Sequence, residues 1–231
     1  QLLDSLAVIF PFETKCYADT SLDTHFVGHP FLSPDYTPPV EYSPDGKILM
    51  LSGSREIAVS RIFPVMCGAL ERLGGENAVA VYPTLRIKKI LEDTLIKHPN
   101  LAGRVEIVPN DWSERMAAKA VMMSSGTMSL ACSLAGIPGA IVYKANPITY
   151  VVGRALVKIE YLSIANILLD KPAWREFIQF DASPEKLAKY MRECLAPTAR
   201  GQFETYADKL RELLHAPPKQ TAADWLVGSL E

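Results

Sequence analysis

From Ala120 to Tyr143 the chain carries no charged residue. A stretch of that length is either a membrane span or a succession of buried elements, and the residues inside it decide. Gly126, Gly136, Pro138, Gly139 and several hydroxyls interrupt the run, whereas a spanning helix needs about 20 consecutive, mostly apolar residues. The run reads instead as strand Val121–Met123, helix Met128–Leu134 and strand Ala140–Tyr143. The first strand meets the helix through Ser124-Ser125-Gly126-Thr127, and the helix ends at Gly136 before Pro138. Small hydroxyl residues and a glycine in that turn leave backbone N–H groups free at the positive end of a helix. The natural occupant is an anion, most often a phosphate, which points to a nucleotide.

The same alternation extends upstream. From Lys47 the pattern predicts strand Ile48–Leu51, helix Val59–Leu73, strand Val79–Tyr82, helix Leu85–Lys97, strand Val105–Val108 and a short helix Ser113–Ala118. Strands without polar alternation, separated by helices of this length, specify parallel pairing with both faces covered. The predicted fold class is therefore α/β, a doubly wound parallel sheet. Ligands of such sheets bind outside the carboxyl ends of the strands, where Gly53–Arg55 and Ser125–Thr127 both fall. Gly53 and Ser54 form a tight turn that allows close backbone approach, and the planar fork of Arg55 can grip a diphosphate. An ordinary strand-to-helix turn with a solvated arginine has the same sequence. Beyond Tyr143 the pattern is helical: Ile148–Val157, a loop with a short helix to Gln179, then Pro184–Cys194, Arg200–Leu214 and Ala222–Leu230. Ser183 and Asp181 are candidate caps for the helix that starts at Pro184.

Composition narrows the function. A net charge of -2 and a pI near 6.1 lack the basic stripe of a dedicated nucleic-acid binder, so none is expected as partner. Cys16, Cys67, Cys132 and Cys194 lie far apart without paired spacing, as in a reducing cytosol, and the four histidines show no metal-ligand spacing. No metal site is expected. No signal peptide is visible, and the absence of an initial Met suggests that a segment precedes Gln1. Leu6–Phe10 and His25–Val27 read as the last strands of a preceding unit, and the prolines between residues 30 and 46 read as a linker. Ile148–Tyr161 combines apolar residues with Arg154 and Lys158. It reads as an amphipathic packing helix or as one resting on an acidic bilayer surface.

These residues resemble one family. Leu51–Arg55 is similar to the Leu-Pro-Gly-Ser-Arg turn of bacterial lipid-A-disaccharide synthases, inverting glycosyltransferases of family 19 with the two-domain GT-B fold. Phe10-Pro11-Phe12-Glu13 with Tyr17, and Phe26–Pro30, resemble the segment that closes their amino-terminal domain. Ser125-Gly126-Thr127 matches their Ser-Gly-Thr turn. Tyr143-Lys144 with Pro147, Thr149 and Tyr150, then Leu156–Lys158 with Tyr161, match the family's next stretch of chain. Asn166, Glu176 and Gln179 keep the spacing of the Pro-Asn-Leu-Leu and Glu-Leu-Leu-Gln blocks. Taken singly these residues have plainer readings: Glu176 and Gln179 as a polar pair one helical turn apart, Asn166 as a helix cap, Tyr143 as a strand-end aromatic. Two departures stand out: Ala131 where the family has an acidic residue able to accept ribose hydroxyls, and Ser52 in place of proline.

The resemblance implies a GT-B layout. Residues 1–30 would end the amino-terminal, acceptor-binding domain and 31–46 would form the linker. Residues 47–180 would make the UDP-sugar-binding Rossmann-like domain, and 181–231 the helices that pack back on the other domain or on a partner subunit. It implies transfer of a diacylglucosamine from UDP-2,3-diacylglucosamine to diacylglucosamine 1-phosphate (lipid X), giving the lipid A disaccharide and UDP without a metal or cofactor. Arg55 and Ser125–Thr127 would stabilise the leaving group, while Asn166, Glu176 and Gln179 would line the donor. The general base is not identified in this chain, which alone would bind nucleotide without turnover. Expected placement is cytoplasmic, with peripheral contact at the inner face of the inner membrane and a homodimer left open. The alternatives are a catalytically silent nucleotide-binding or assembly module and another GT-B enzyme such as a UDP-sugar epimerase.

Overall fold

The computed structural model describes residues 3–33, 35–111, 115–146, 160–215 and 221–228. They form two compact units, one of residues 1–38 with 208–231 and one of Pro39–Ala207.

In the smaller unit, β1 (Ser5–Val8) and β2 (Asp23–Phe26) pair in parallel around α1 (Glu13–Cys16). The chain after β2 packs by aromatic contact: the His29 ring lies 5.0 Å from Phe10 and 4.9 Å from Phe31, and Phe31 stacks on Tyr36 at 4.8 Å. Burial lowers the His29 pKa, opposed by the carboxylate of Glu13, so the ring stays neutral and its Nδ1 accepts from the Phe31 N–H. The C-terminal α8 (Ala222–Gly228) belongs to this unit.

The larger unit is built on six parallel strands, β3 (Val40–Leu51), β4 (Ala78–Tyr82), β5 (Val105–Pro109), β6 (Met116–Met123), β7 (Gly139–Tyr143) and β8 (Arg175–Ile178), in the spatial order β5-β4-β3-β6-β7-β8. Helices α2 (Glu56–Leu73), α3 (Leu85–Leu95), α4 (Thr127–Leu134), α5 (Ile164–Leu169) and α6 (Pro184–Cys194) connect or follow them, and α7 (Ala199–Leu214) belongs to this unit as far as Ala207. The central strands β3 and β6 are buried along Ile48–Leu51 and Ala120–Met123, as a sheet covered on both faces requires. The predicted α/β class is the one observed.

Three elements differ from the sequence reading. The strand predicted at Ile48 begins at Val40, inside the stretch read as a linker: Val40–Tyr42 pair with Met116–Ala118 before an irregularity over 43–46. Pro44 sits in that bulge, where no ladder hydrogen bond is required of it. Residues 116–118, predicted as the end of a helix, are therefore strand, and the Met116 N–H donates to the Pro39 carbonyl. Glu176 lies on strand β8 and Gln179 just beyond it at φ 52°, so the two are not a pair on one helix. The predicted helix over 148–157 lies outside the described residues.

Close backbone approach holds the sheet and its cover together. Gly139 on β7 pairs with Val121, and any Cβ there would run into the Val121 carbonyl. Gly68 in α2 faces Pro184 of α6, whose ring atoms stand 2.9 Å from where a Cβ would be. The buried Cys67, Cys132 and Cys194 thiols are pushed up to about 12 by burial, which makes them packing groups rather than nucleophiles. Gly139→Ala is expected to destabilise the chain by roughly 1–3 kcal/mol through overpacking against backbone that cannot yield. That is a fall in melting temperature of about 3–10 °C, and an unchanged thermal melt would show that the two strands can part without cost.

Candidate functional site

The chain runs outward from β3 through β4 to β5, then crosses to β6 and runs the other way to β8. The connections leaving β3 and β6 thus diverge and open a crevice at the carboxyl end of the sheet, the topological switch point. A cavity of about 440 Å³ occupies it, a size suited to a small ligand. Gly53, Ser54 and Arg55 line it from the β3–α2 turn, Ser125, Gly126 and Thr127 from the β6–α4 turn, and Tyr143 from the end of β7.

Helix capping sets the electrostatics of this crevice. Three helices of the larger unit have first turns capped by hydroxyls: Thr84 accepts from the Ile87 N–H in α3, Ser163 from Asn166 in α5 and Ser183 from Lys186 in α6. The two helices that start at the cavity have no side-chain cap. Arg55 is the N-cap residue of α2 and Gly126 that of α4. First-turn amides of both helices therefore keep free donors, and both positive helix ends meet at one place. Among the described residues Arg55 is the one charged side chain lining the cavity, and its guanidinium has no hydrogen-bond or ion-pair partner there. The arrangement attracts an anion and supplies donors from two sides.

The remaining predicted residues sit elsewhere. Asn166 is fully buried: its Oδ1 accepts from the Trp174 N–H at 3.0 Å, and its Nδ2 donates to the Trp174 carbonyl at 2.8 Å and to Glu176 Oε1 at 2.9 Å. The Glu176 carboxylate also accepts from the backbone N–H groups of Leu162 and Ser163 at 2.9 Å each. Neither residue lines the cavity. Their polar atoms are engaged in tying α5 to β8. Gln179 accepts from the Ala145 N–H at 3.0 Å, and its own N–H donates to the Tyr143 carbonyl at 2.9 Å. It lines a neighbouring depression of about 490 Å³ with Arg61, Lys144 and Phe180. Gln179 therefore steadies the exit of β7, and with it Tyr143. Ala131 is 3% exposed and does not line the cavity.

Sequence reasoning missed Pro83 and Asn110, which also line the cavity. The signal was available, since each stands directly after a strand, and parallel strands all end at one rim.

Against this geometry the family model for lipid-A-disaccharide synthetase matches residues 1–226. The chain belongs to that family. It is 31% identical to the lipid-A-disaccharide synthase of Nitrosococcus oceani, covering 100% of this chain and 63% of that protein. It is 34% identical to that of Anaeromyxobacter dehalogenans, covering 92% and 58%. The chain thus spans about three fifths of the length of these relatives. The fold is shared with sucrose-phosphate synthase from Thermosynechococcus elongatus at a TM-score of 0.53 and 13% identity, covering 92% of this chain and 54% of that one. This fits the GT-B type of sheet that the family resemblance implies.

Asn166→Ala leaves the buried Trp174 N–H without its acceptor and is expected to cost roughly 2–3 kcal/mol, measured by urea unfolding. A loss under about 0.5 kcal/mol, within the range of an ordinary surface substitution, would contradict a structural role for this block.

Proposed function

We propose that this chain is the nucleotide-sugar-binding part of an inverting glycosyltransferase that makes the lipid A disaccharide. The observation carrying this is the meeting of two uncapped helix N-termini and Arg55 around a cavity whose lining holds no carboxylate among the described residues. The donor is UDP-2,3-diacylglucosamine and the acceptor diacylglucosamine 1-phosphate. The acceptor's 6-hydroxyl oxygen attacks the anomeric carbon, and the bond to the UDP oxygen breaks. UDP departs with the electron pair while the hydroxyl proton passes to a base contributed from outside the described residues. Negative charge grows on the β-phosphate as the bond breaks, and Arg55 with the amides of α2 and α4 stabilises it more in the transition state than in the bound donor. The proposed chemistry uses no cofactor, the UDP-sugar being a substrate. Peripheral contact with the inner face of the inner membrane and a homodimer belong to the same proposal. Among the described residues no helix is long and apolar enough to cross a membrane.

Ala131 favours a second reading, a nucleotide-binding or assembly module without turnover, because no carboxylate stands where the family places one for the ribose. Two measurements separate the readings. Calorimetric titration is expected to give saturable UDP binding, weakened about ten- to a hundredfold in Arg55→Ala by loss of charge-assisted bonds. A polypeptide joining this chain to an amino-terminal domain of the family, supplied with both acylated substrates, is expected to form disaccharide and UDP one to one. Binding without product supports the module, and hydrolysis or epimerisation of the donor overturns the transferase.

A further inference from the structure

The ladder between β3 and β6 pairs Met50 with Met122 and Leu51 with Met123. One step further, the Ser124 N–H donates to the Leu51 carbonyl at 2.8 Å, which carries the register to Ser52 and Ser124. Register partners on parallel neighbours stand about 4.8 Å apart and present their side chains to the same face. Two serines therefore sit side by side across the switch point, and both line the cavity.

Among the described residues neither hydroxyl has a hydrogen-bond partner. Ser52 is 1% exposed, and its Oγ is one of two buried side-chain polar atoms without a partner among the described residues, the other being Ser133 Oγ inside α4. A buried hydroxyl without a partner costs stability, and such groups in native proteins call for an explanation. Ser124 is half-buried, and no partner for its Oγ is found among the described residues. Its position is set by the two glycine turns: a Cβ on Gly53 would lie 3.1 Å from Ser124 Oγ and one on Gly126 3.9 Å from it. Gly53 itself has φ 106°, a conformation that a larger residue adopts only under strain. The Ser124 hydroxyl thus occupies the point where the two anion-binding turns approach each other.

We propose that Ser52 and Ser124 form a paired hydroxyl subsite that takes a diphosphate oxygen of the nucleotide between them, joining the donors of the α2 turn to those of the α4 turn. This rests on the nucleotide reading of the cavity. It also gives a physical role to the serine that replaces the proline of the family's turn, since a proline ring has no donor to offer an anion.

UDP titrations of the chain and of Ser52→Ala and Ser124→Ala, each paired with a thermal melt, test it. Ser124→Ala is expected to weaken UDP binding about tenfold, as for a hydrogen bond to a charged group, and Ser52→Ala about threefold. The double variant should lose less than the product of the two, because both hydroxyls serve one oxygen. Without nucleotide, Ser52→Ala should melt at or above the temperature of the parent chain, since it removes an unpartnered buried hydroxyl. With UDP it should gain less than the parent does. Unchanged UDP affinity in both variants overturns the subsite while leaving the nucleotide site standing. Loss of affinity accompanied by a melting temperature several degrees lower without ligand assigns the serines to the fold and also overturns it. Absence of saturable UDP binding in the parent chain overturns both the subsite and the nucleotide-binding function on which it depends.

Discussion

The parallel pairing of β3 with β6 is the constraint on which the rest of the larger unit depends. Their hydrogen-bonded register places the ends of two strands, and so the starts of two helices, next to each other at the middle of the sheet. Had the chain continued in one direction, each turn would have been followed by a neighbour on the same side and the crevice would have been filled. Reversal at this point leaves it open. Two glycines permit the close approaches around it: Gly139 lets β7 close against β6, and Gly53 lets the β3 turn pass Ser124.

The distribution of helix caps shows where the chain spends its polar groups. Three helices of the larger unit have first turns satisfied by Thr84, Ser163 and Ser183, and replacing such a cap typically costs about 1 kcal/mol. Leaving α2 and α4 without one forgoes stabilisation on the order of 2 kcal/mol in a protein whose total stability is of order 10 kcal/mol. The omission falls on the two helices at the cavity. Donors left unsatisfied by the protein there are available to a ligand, and their fixed orientation means that little reorganises when charge develops on it.

Much of this was legible in the sequence because it depended on local chemistry. Pro184 after Ser183 marks the start of α6, and the apolar Ile141 and Val142 before Tyr143 mark β7, in both cases close to the observed limits. The two turns among the segments that carry the family resemblance line one cavity. What was illegible depended on partners distant in the chain. Val40–Tyr42 look like linker until Met116–Ala118 lie beside them. Arg175–Ile178 is a four-residue edge strand, and nothing in so short a run separates it from a helical turn until β7 supplies its only ladder among the described residues. Hydroxyl engagement was equally invisible, since a serine's sequence neighbours do not say whether its Oγ is spent.

The Asn166–Gln179 block is tied into the fold through its own polar atoms. Asn166 mimics a strand neighbour for Trp174 by both accepting from and donating to its backbone, and Trp174 in turn donates its indole N–H to the Ile137 carbonyl just before β7. Glu176 collects the amides that begin α5, and Gln179 holds Ala145 two residues beyond Tyr143. These bonds brace the chain that enters and leaves β7, the strand that delivers Tyr143 to the cavity, and the β8 edge paired with it. Removing any of them would first loosen that delivery and only then affect a ligand. The positions of Asn166, Glu176 and Gln179 are thus fixed by the strands they brace, through bonds to the protein's own backbone.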